Sequence, residues 1–453
     1  YGIKSYIFES LRPTPELSFA VRYLKCAGGI MITASHNPKE HNGYKVYDDT
    51  GCQLLPEAAD QVVQYVNEVE DELNIKVFSD EEAYPYMTWI GEEVDEAYYK
   101  EVMAIEVNPG MDKSDFKIVF SPQHGTSNIA VRTCLTRLGY DLVPVLAQCA
   151  PDPDFSNTKS PNPEVPASYE LAIKKAKEVD ADVVVITDPD GDRLGVVAKH
   201  NGEYVLMSGN QSAAVYLEYI LSQMKEKGTL PDNAVMYNTI VTSDLGELVA
   251  RSYGVDVEKT LTGFKFIGDK IRKYEQTHEK TFVFGYEESY GCVIKDFVRD
   301  KDAVQAVLTA AEAGNFYKKQ GKDLVDVLNE LYAKHGTFKE TQIALSKAGA
   351  AGAARIKEIM DNLRKDAPQE IGGVKVVKVE DYGNSTCSDG TTIQLPKSNV
   401  LKYYLEDGSW IAARPSGTEP KCKFYFSIKG SDADDAASKT EVFHKAMMEI
   451  IGE

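Results

Sequence analysis

The hydrophobic positions of this 453-residue chain fall mostly into short unbroken runs. Ile30-Met31-Ile32, Lys117–Phe120, Val183–Ile186, Val235–Thr239 and Thr281–Phe284 read as strands, each bounded by polar or glycine-bearing breaks. Val183-Val184-Val185-Ile186 shows no alternation, the pattern of a strand covered on both sheet faces. Elsewhere the period lengthens. Over 57–73, Val62, Val66, Val69 and Leu73 share one face, which predicts a helix. A further helix is expected from a Ser168 cap to Val179. Near the end, Leu401–Leu405, Trp410–Ala413 and Lys423–Ile428 are closely spaced strands, followed by a helix from about Ala436.

This alternation predicts three α/β units followed by a smaller α+β unit. The length agrees, since a chain this long divides into roughly three or four domains. Polar or small-residue breaks at 112–115, 228–232 and 348–354 place the domains at 1–113, 114–227, 228–345 and 346–453.

Charge narrows the partners. Fifty Lys and Arg against seventy Asp and Glu give a formal net charge of -20. Such a field repels nucleic acid and anionic membranes, so neither is expected to bind. An anionic substrate would need positive charge gathered locally. The seven cysteines are odd in number and form no C-x-x-C pair, which points to a reducing, cytoplasmic setting. No apolar run approaches membrane-spanning length.

Four polar loops each follow an apolar run. In open α/β sheets ligands bind beyond the carboxyl ends of strands, so these loops are expected to converge on one cleft. The first is Thr33-Ala34-Ser35-His36-Asn37-Pro38, where Ser35 is exposed enough to carry a phosphoryl group; Asn42-Gly43-Tyr44-Lys45 adds a cation downstream. Taken alone, a turn without chemistry is the better reading. The G-x-S-x-G elbow of hydrolases is absent. The second, Asp188-Pro189-Asp190-Gly191-Asp192-Arg193, places three carboxylates at alternate positions, a site for a hard cation. An EF-hand would need glycine and glutamate where Arg193 and Lys199 stand. A solvated acidic turn competes, weakened by the buried-type strand just before it. Magnesium suits phosphate chemistry better than calcium.

The third loop, Gly285-Tyr286-Glu287-Glu288-Ser289, has paired glutamates able to accept bonds from sugar hydroxyls, although a solvated turn is the better reading without context. The fourth, Arg414-Pro415-Ser416-Gly417-Thr418-Glu419-Pro420, combines an arginine fork, two hydroxyls and a glycine, a phosphate cradle or a plain hairpin turn. A fifth element, Thr262-Gly263-Phe264-Lys265, sets Lys265 between aromatic residues. Partial burial there would lower its pKa toward that of a general base; a snorkelling surface lysine is the commoner explanation.

In this order the loops resemble the α-D-phosphohexomutase superfamily over nearly the whole chain, and the 285–289 loop resembles its bacterial α-phosphoglucomutase branch within the phosphoglucomutase/phosphomannomutase family. The resemblance implies three related α/β domains with mixed sheets around a central cleft, plus a C-terminal α+β domain. It implies that Ser35 carries the phosphoryl group, with His36, Lys45, Arg193 and Lys265 in catalysis. Asp188, Asp190, Asp192 and the Ser35 phosphate would hold Mg2+. Thr262, Gly263, Glu287 and Ser289 would read the sugar, and Arg414, Ser416, Gly417 and Thr418 its non-reacting phosphate. The family carries further strands and a glycine- and arginine-bearing motif ahead of the serine. No counterpart precedes Thr33, which implies a first domain incomplete at its N-terminus.

The implied reaction interconverts hexose 1-phosphate and hexose 6-phosphate, glucose phosphates first, with glucose 1,6-bisphosphate as intermediate and activator. The partners are then small sugar phosphates, and the protein a monomer or homodimer. Mannose or pentose phosphates are the alternatives within this chemistry. A non-catalytic sugar-phosphate binding remnant, or a phosphatase in which water discharges the serine, are the alternatives outside it.

Overall fold

The computed structural model describes residues 2–417 and 420–453. Four α/β domains make up the chain, organised as two compact units. One takes in the residues up to Asn238 with Tyr253–Glu258 and Gly263–Val327; the other takes in Thr239–Ser252, Lys259–Thr262 and Leu328–Glu453.

In the first unit, a hairpin of Gly28–Ile32 and Tyr44–Asp48 pairs antiparallel, and Ser5–Phe8 pairs parallel with Met87–Ile90. Next comes a mixed five-stranded sheet in the order Asp141–Pro144, Lys117–Ser121, Val183–Thr187, Leu194–His200, Glu203–Met207. Its first three strands are parallel and the last two run antiparallel. Val183–Ile186 is the central strand and is fully buried. Each such valine or isoleucine contributes about 1.5–3 kcal/mol through burial, which anchors the turn that follows it. A second mixed sheet joins Asp256–Thr260, Ala234–Thr239, Thr281–Tyr286 and Cys292–Val293.

In the second unit, an antiparallel sheet runs Thr337–Ser346, Lys421–Gly430, Trp410–Pro415, Leu401–Leu405, Val374–Asp381, Glu370–Ile371, with Thr386–Cys387 added on Val374–Asp381. Helices Gly349–Lys365 and Ala433–Ile451 supply Ile356, Met360, Leu363, Phe443 and Met447 to a core shared with Leu401, Tyr403, Ile411, Phe424 and Phe426 of the sheet.

Three expectations about elements need correction. The helix expected over 57–73 ends at Asn67, and Val66, Val69 and Leu73 are exposed. Glu68, Glu70, Asp71 and Glu72 would sit at the negative end of the helix dipole, and Asp71 instead caps a separate turn by accepting the Leu73 amide. Ser168 is not a helix cap. A 3-10 turn, Pro166–Tyr169, precedes the helix Glu170–Val179, and the Ser168 hydroxyl donates to the carbonyls of Ser160 and Asn162. The terminal helix starts at Ala433, earlier than expected, because Asp432 accepts the Asp435 amide. Among the described residues, no helix is long and apolar enough to cross a membrane.

Candidate active site

The acidic loop is a tight connection between two antiparallel strands, with Thr187 opposite Leu194. Its shape comes from Asp188. Oδ1 accepts the amides of Asp192 and Arg193, both at 3.0 Å, while the Asp188 carbonyl accepts the Gly191 amide at 3.1 Å. Gly191 adopts φ +71°, a conformation glycine takes at little cost. All three aspartates end up buried, with one carboxylate oxygen from each lying within 4.8 Å of the others.

Three buried carboxylates so close together are costly without compensation. Burial, and then the charges of Asp190 and Asp192, push the Asp188 carboxyl well above the usual range. Burial pushes Asp192 the same way, but Lys301, Lys45 and Arg193 outweigh it and hold that carboxyl below its ordinary value. Lys45 donates to Asp190 Oδ2 at 2.8 Å and to Asp192 Oδ2 at 2.9 Å. The Lys301 ammonium lies 3.2 Å from Asp192 Oδ2.

Even so, Asp190 Oδ1 and Asp192 Oδ1 are buried without a hydrogen-bond partner. Buried carboxylate oxygens left over after two lysines are satisfied fit a hard divalent cation.

The serine loop meets this nest. After the strand Gly28–Ile32, the chain turns at Ser35 with φ +54°, and the Ser35 amide donates to Thr33 Oγ1 at 2.8 Å. The Ser35 hydroxyl donates to Asp188 Oδ2 at 3.2 Å and lies 3.1 Å from His36 Nδ1. Burial, and secondly the Arg193 charge, push the His36 imidazolium pKa down to about 4, so the ring is neutral at pH 7 and able to accept a proton. Ser35 also opens on a cleft of about 680 Å³, with Arg12, Lys39 and His124 among its polar walls and Tyr6, Ile30 and Ile32 among its apolar ones.

Arg193 is held by Glu164, with Nη1 donating at 2.8 Å. Its buried Nε makes no hydrogen bond and lies 3.8 Å from Asp192 and 4.0 Å from Asp188. Glu287 is buried, and its Oε1 accepts the Gly263 amide at 2.9 Å. Gly263 has φ +116°, so only glycine supports that bond without strain. The Glu287 loop also touches the acidic loop's strand, where the Leu194 amide donates to the Tyr290 carbonyl. Ser289 lies in this loop, half-buried. Lys265 stands over the Phe266 ring at 5.8 Å, and burial lowers its pKa as the sequence suggested.

The first unit thus brings together Ser35, His36, Lys45, Asp188, Asp190, Asp192 and Arg193. The fourth loop belongs to the second unit. There Arg414 pairs with Lys423 across two strands, and the Ser416 amide donates to the Lys421 carbonyl at 2.7 Å, turning Gly417 outward. Thr262 also belongs to that unit. Thr418 lies outside the described residues.

Two participants escaped the sequence reading. Thr14 donates its amide to the Asp190 carbonyl at 2.8 Å and its hydroxyl to Asp190 Oδ2 at 3.1 Å. No local pattern announces it. Lys301 lies in the alternating run Arg299-Asp300-Lys301-Asp302, placed directly before an apolar helix, and that run was a usable signal.

Known proteins resemble the chain over nearly its whole length. Four phosphoglucomutase/phosphomannomutase domain profiles match in order: alpha/beta/alpha domain I at 1–73, domain II at 96–202, domain III at 208–335 and the C-terminal domain at 353–445. A phosphoglucomutase of Staphylococcus epidermidis is 39% identical over 447 residues, covering 97% of this chain and 80% of that protein. One from Staphylococcus haemolyticus is 38% identical over 435 residues, covering 94% and 78%. Among solved structures, a putative phosphomannomutase from Thermus thermophilus shares the fold with a TM-score of 0.71 at 21% identity, covering 100% of this chain and 84% of that one. The Paramecium phosphoglucomutase parafusin, in its open form, gives 0.70 at 19% identity, covering 99% and 84%. Matched by all four domain profiles and by relatives of near 40% identity, the chain belongs to the phosphoglucomutase/phosphomannomutase family of the α-D-phosphohexomutase superfamily.

Proposed function

We propose that this phosphosugar mutase interconverts α-D-glucose 1-phosphate and glucose 6-phosphate through phospho-Ser35 and glucose 1,6-bisphosphate. The observation that supports it most is the Ser35 hydroxyl at 3.2 Å from Asp188, inside a nest of three buried aspartates with two unpartnered oxygens. The Staphylococcus relatives are phosphoglucomutases, which favours glucose.

In the forward step, a sugar hydroxyl oxygen bonds to the phosphorus on Ser35 as the Ser35 Oγ–P bond breaks. The hydroxyl proton passes to a base, His36 or Lys265, and the departing Ser35 Oγ takes up a proton in exchange, with His36 Nδ1 lying 3.1 Å from it. Arg193 Nε, buried and unpartnered, is available to the oxygens of the moving phosphoryl group. Asp188, Asp190 and Asp192, with the serine phosphate, would hold Mg2+, which offsets the charge on that phosphate. The sugar then turns and returns its other phosphate to Ser35, restoring the phosphoenzyme. Glu287, Ser289, Gly263 and Thr262 read sugar hydroxyls in this scheme, and Arg414, Ser416, Gly417 and Thr418 grip the idle phosphate.

The test has two arms. Digestion and mass spectrometry of the purified chain should find phosphate on Ser35. Measuring kcat/KM on glucose 1-phosphate, mannose 1-phosphate and ribose 1-phosphate should rank glucose first. A preference for mannose or ribose overturns the substrate choice, and release of inorganic phosphate at the mutase rate makes the protein a phosphatase.

A further inference from the structure

Within the second unit, the strand Leu401–Leu405 alternates as a strand must: Leu401, Tyr403 and Leu405 enter the helix-covered core, and Lys402 and Tyr404 face the other way. Lys402 nevertheless has no solvent exposure. A fully buried lysine costs stability unless its ammonium is held. Here it donates to the Ile240 carbonyl at 2.8 Å, and it lies 3.8 Å from the Trp410 ring centroid and 4.9 Å from that of Tyr404. The box is braced in turn, since Trp410 Nε1 donates to Asp244 Oδ2 at 3.1 Å. Lys259 pairs with Asp244 at 3.7 Å and, more closely, with Glu247.

Ile240, held at its carbonyl by Lys402, is tied at its other backbone group as well. The Ile240 amide donates to the Thr260 carbonyl at 2.9 Å. Two residues on, the Thr262 hydroxyl is buried and has no hydrogen-bond partner. A continuous path therefore runs from the Lys402 ammonium through the two backbone groups of Ile240 and the Thr260 carbonyl to the strand end that carries the buried, unpartnered Thr262 hydroxyl. A methionine would fill the same volume without the cost of burying an amine, but it would let Ile240 go.

We infer that Lys402 is a positioning residue that sets the Thr262 hydroxyl for the sugar, acting through Ile240 and Thr260. This rests on the reading of Thr262 as a sugar-binding residue of a phosphosugar mutase. It deepens that reading by naming a remote determinant of sugar affinity that touches neither sugar nor phosphate.

The experiment is a double-mutant cycle in the full chain, assayed with glucose 1-phosphate and Mg2+. Lys402→Met should raise KM about tenfold, the effect of one misplaced hydrogen bond, and should lower kcat by less than about threefold. Thr262→Val should do the same. In the Thr262→Val background, Lys402→Met should add nothing to KM, because both changes remove one interaction. Lys402→Arg, which keeps a donor for Ile240, should stay within about threefold of wild type.

Independent, multiplying KM effects overturn the inference, as does an unchanged KM in folded Lys402→Met. If Lys402→Met does not fold, Trp410→Phe loosens the same box and takes its place. Its smaller rise in KM must also vanish in the Thr262→Val background, and persistence there overturns the inference. Wild-type chain without mutase turnover sinks the functional reading itself, and this inference with it.

Discussion

The Ser35 hydroxyl donates across 3.2 Å to Oδ2 of Asp188, a carboxylate with no solvent exposure. This bond joins the proposed phosphoryl carrier to the three-aspartate cluster while Ser35 holds φ +54°, a conformation that costs an L-residue about 1–2 kcal/mol. Strain and chemistry fall on one residue, so they are separable by mutation. Ser35→Ala should lower mutase turnover about 10⁴-fold or more and stay folded. Ser35→Gly should be equally inactive but melt at the same or a higher temperature than Ser35→Ala, because glycine accepts the positive φ. Turnover assays and thermal unfolding on the three proteins check both claims. Wild-type turnover in Ser35→Ala would remove the carrier role.

Much of this was legible from residue order. Val183–Ile186 announced a buried strand, and carboxylates at alternate positions after it announced a tight acidic cluster, because the signal is local in both cases. The site's long-range partners were not. Thr14 reaches Asp190 across 176 positions of sequence, and Lys402 reaches Ile240 across 162, and no local period encodes such meetings. The periodicity that placed a helix at 57–73 failed at Glu68 because charge at a helix end outweighs apolar spacing there. Ser168 misled for a similar reason: carbonyls of Ser160 and Asn162, folded back beside it, offered its hydroxyl better partners than a helix amide.

Asp190 and Asp192 share Lys45, and each has a buried oxygen without a partner. Chelation of divalent cations should abolish turnover, and Mg2+ should restore it. Asp190→Asn should need at least about tenfold more Mg2+ for half-maximal activity, since it weakens one of three donors. Asp192→Asn should also destabilise the metal-free protein by about 3 kcal/mol, because Lys45 and Lys301 then face one fewer buried charge. Urea unfolding in EDTA reads the second effect, and a Mg2+ titration of turnover reads the first. Mg2+-independent turnover would refute the metal assignment.

Gly191 is pinned from two directions. Its φ is +71°, and a Cβ there would stand 3.0 Å from Pro13 Cβ. Gly191→Ala should therefore cost about 1–2 kcal/mol of stability and displace the turn that Asp188 organises. Mg2+ affinity should fall along with the melting temperature. An alanine variant as stable as wild type would mean that the turn relaxes more freely than its hydrogen bonds suggest.

The second unit carries two groups, the half-buried Glu340 and the fully buried Lys402, whose pKa shifts have opposite consequences for stability. Burial pushes the Glu340 carboxyl up from 4.5 to about 7, against a Ser243 hydrogen bond. Burial pushes Lys402 down from 10.5 to about 7; Lys259 adds to this and Asp244, Glu247 and Glu380 oppose it. For Glu340 the native state holds the proton more tightly, so its contribution to stability falls as pH rises from about 4.5 to 7. For Lys402 the unfolded state holds the proton more tightly, so its contribution rises as pH climbs from about 7 to 10.5. Urea unfolding followed by Trp410 fluorescence, in a Trp89→Phe background, isolates this unit, since the chain has two tryptophans. Between pH 7 and 9.5, Lys402→Met should lose about 1–3 kcal/mol relative to its parent, because it lacks the group that gains stability there. Between pH 5 and 7, Glu340→Gln should gain on its parent by a similar route. Parallel pH profiles for parent and Lys402→Met would show that Lys402 stays charged in its aromatic box at alkaline pH, held there by the Trp410 face more strongly than burial opposes it.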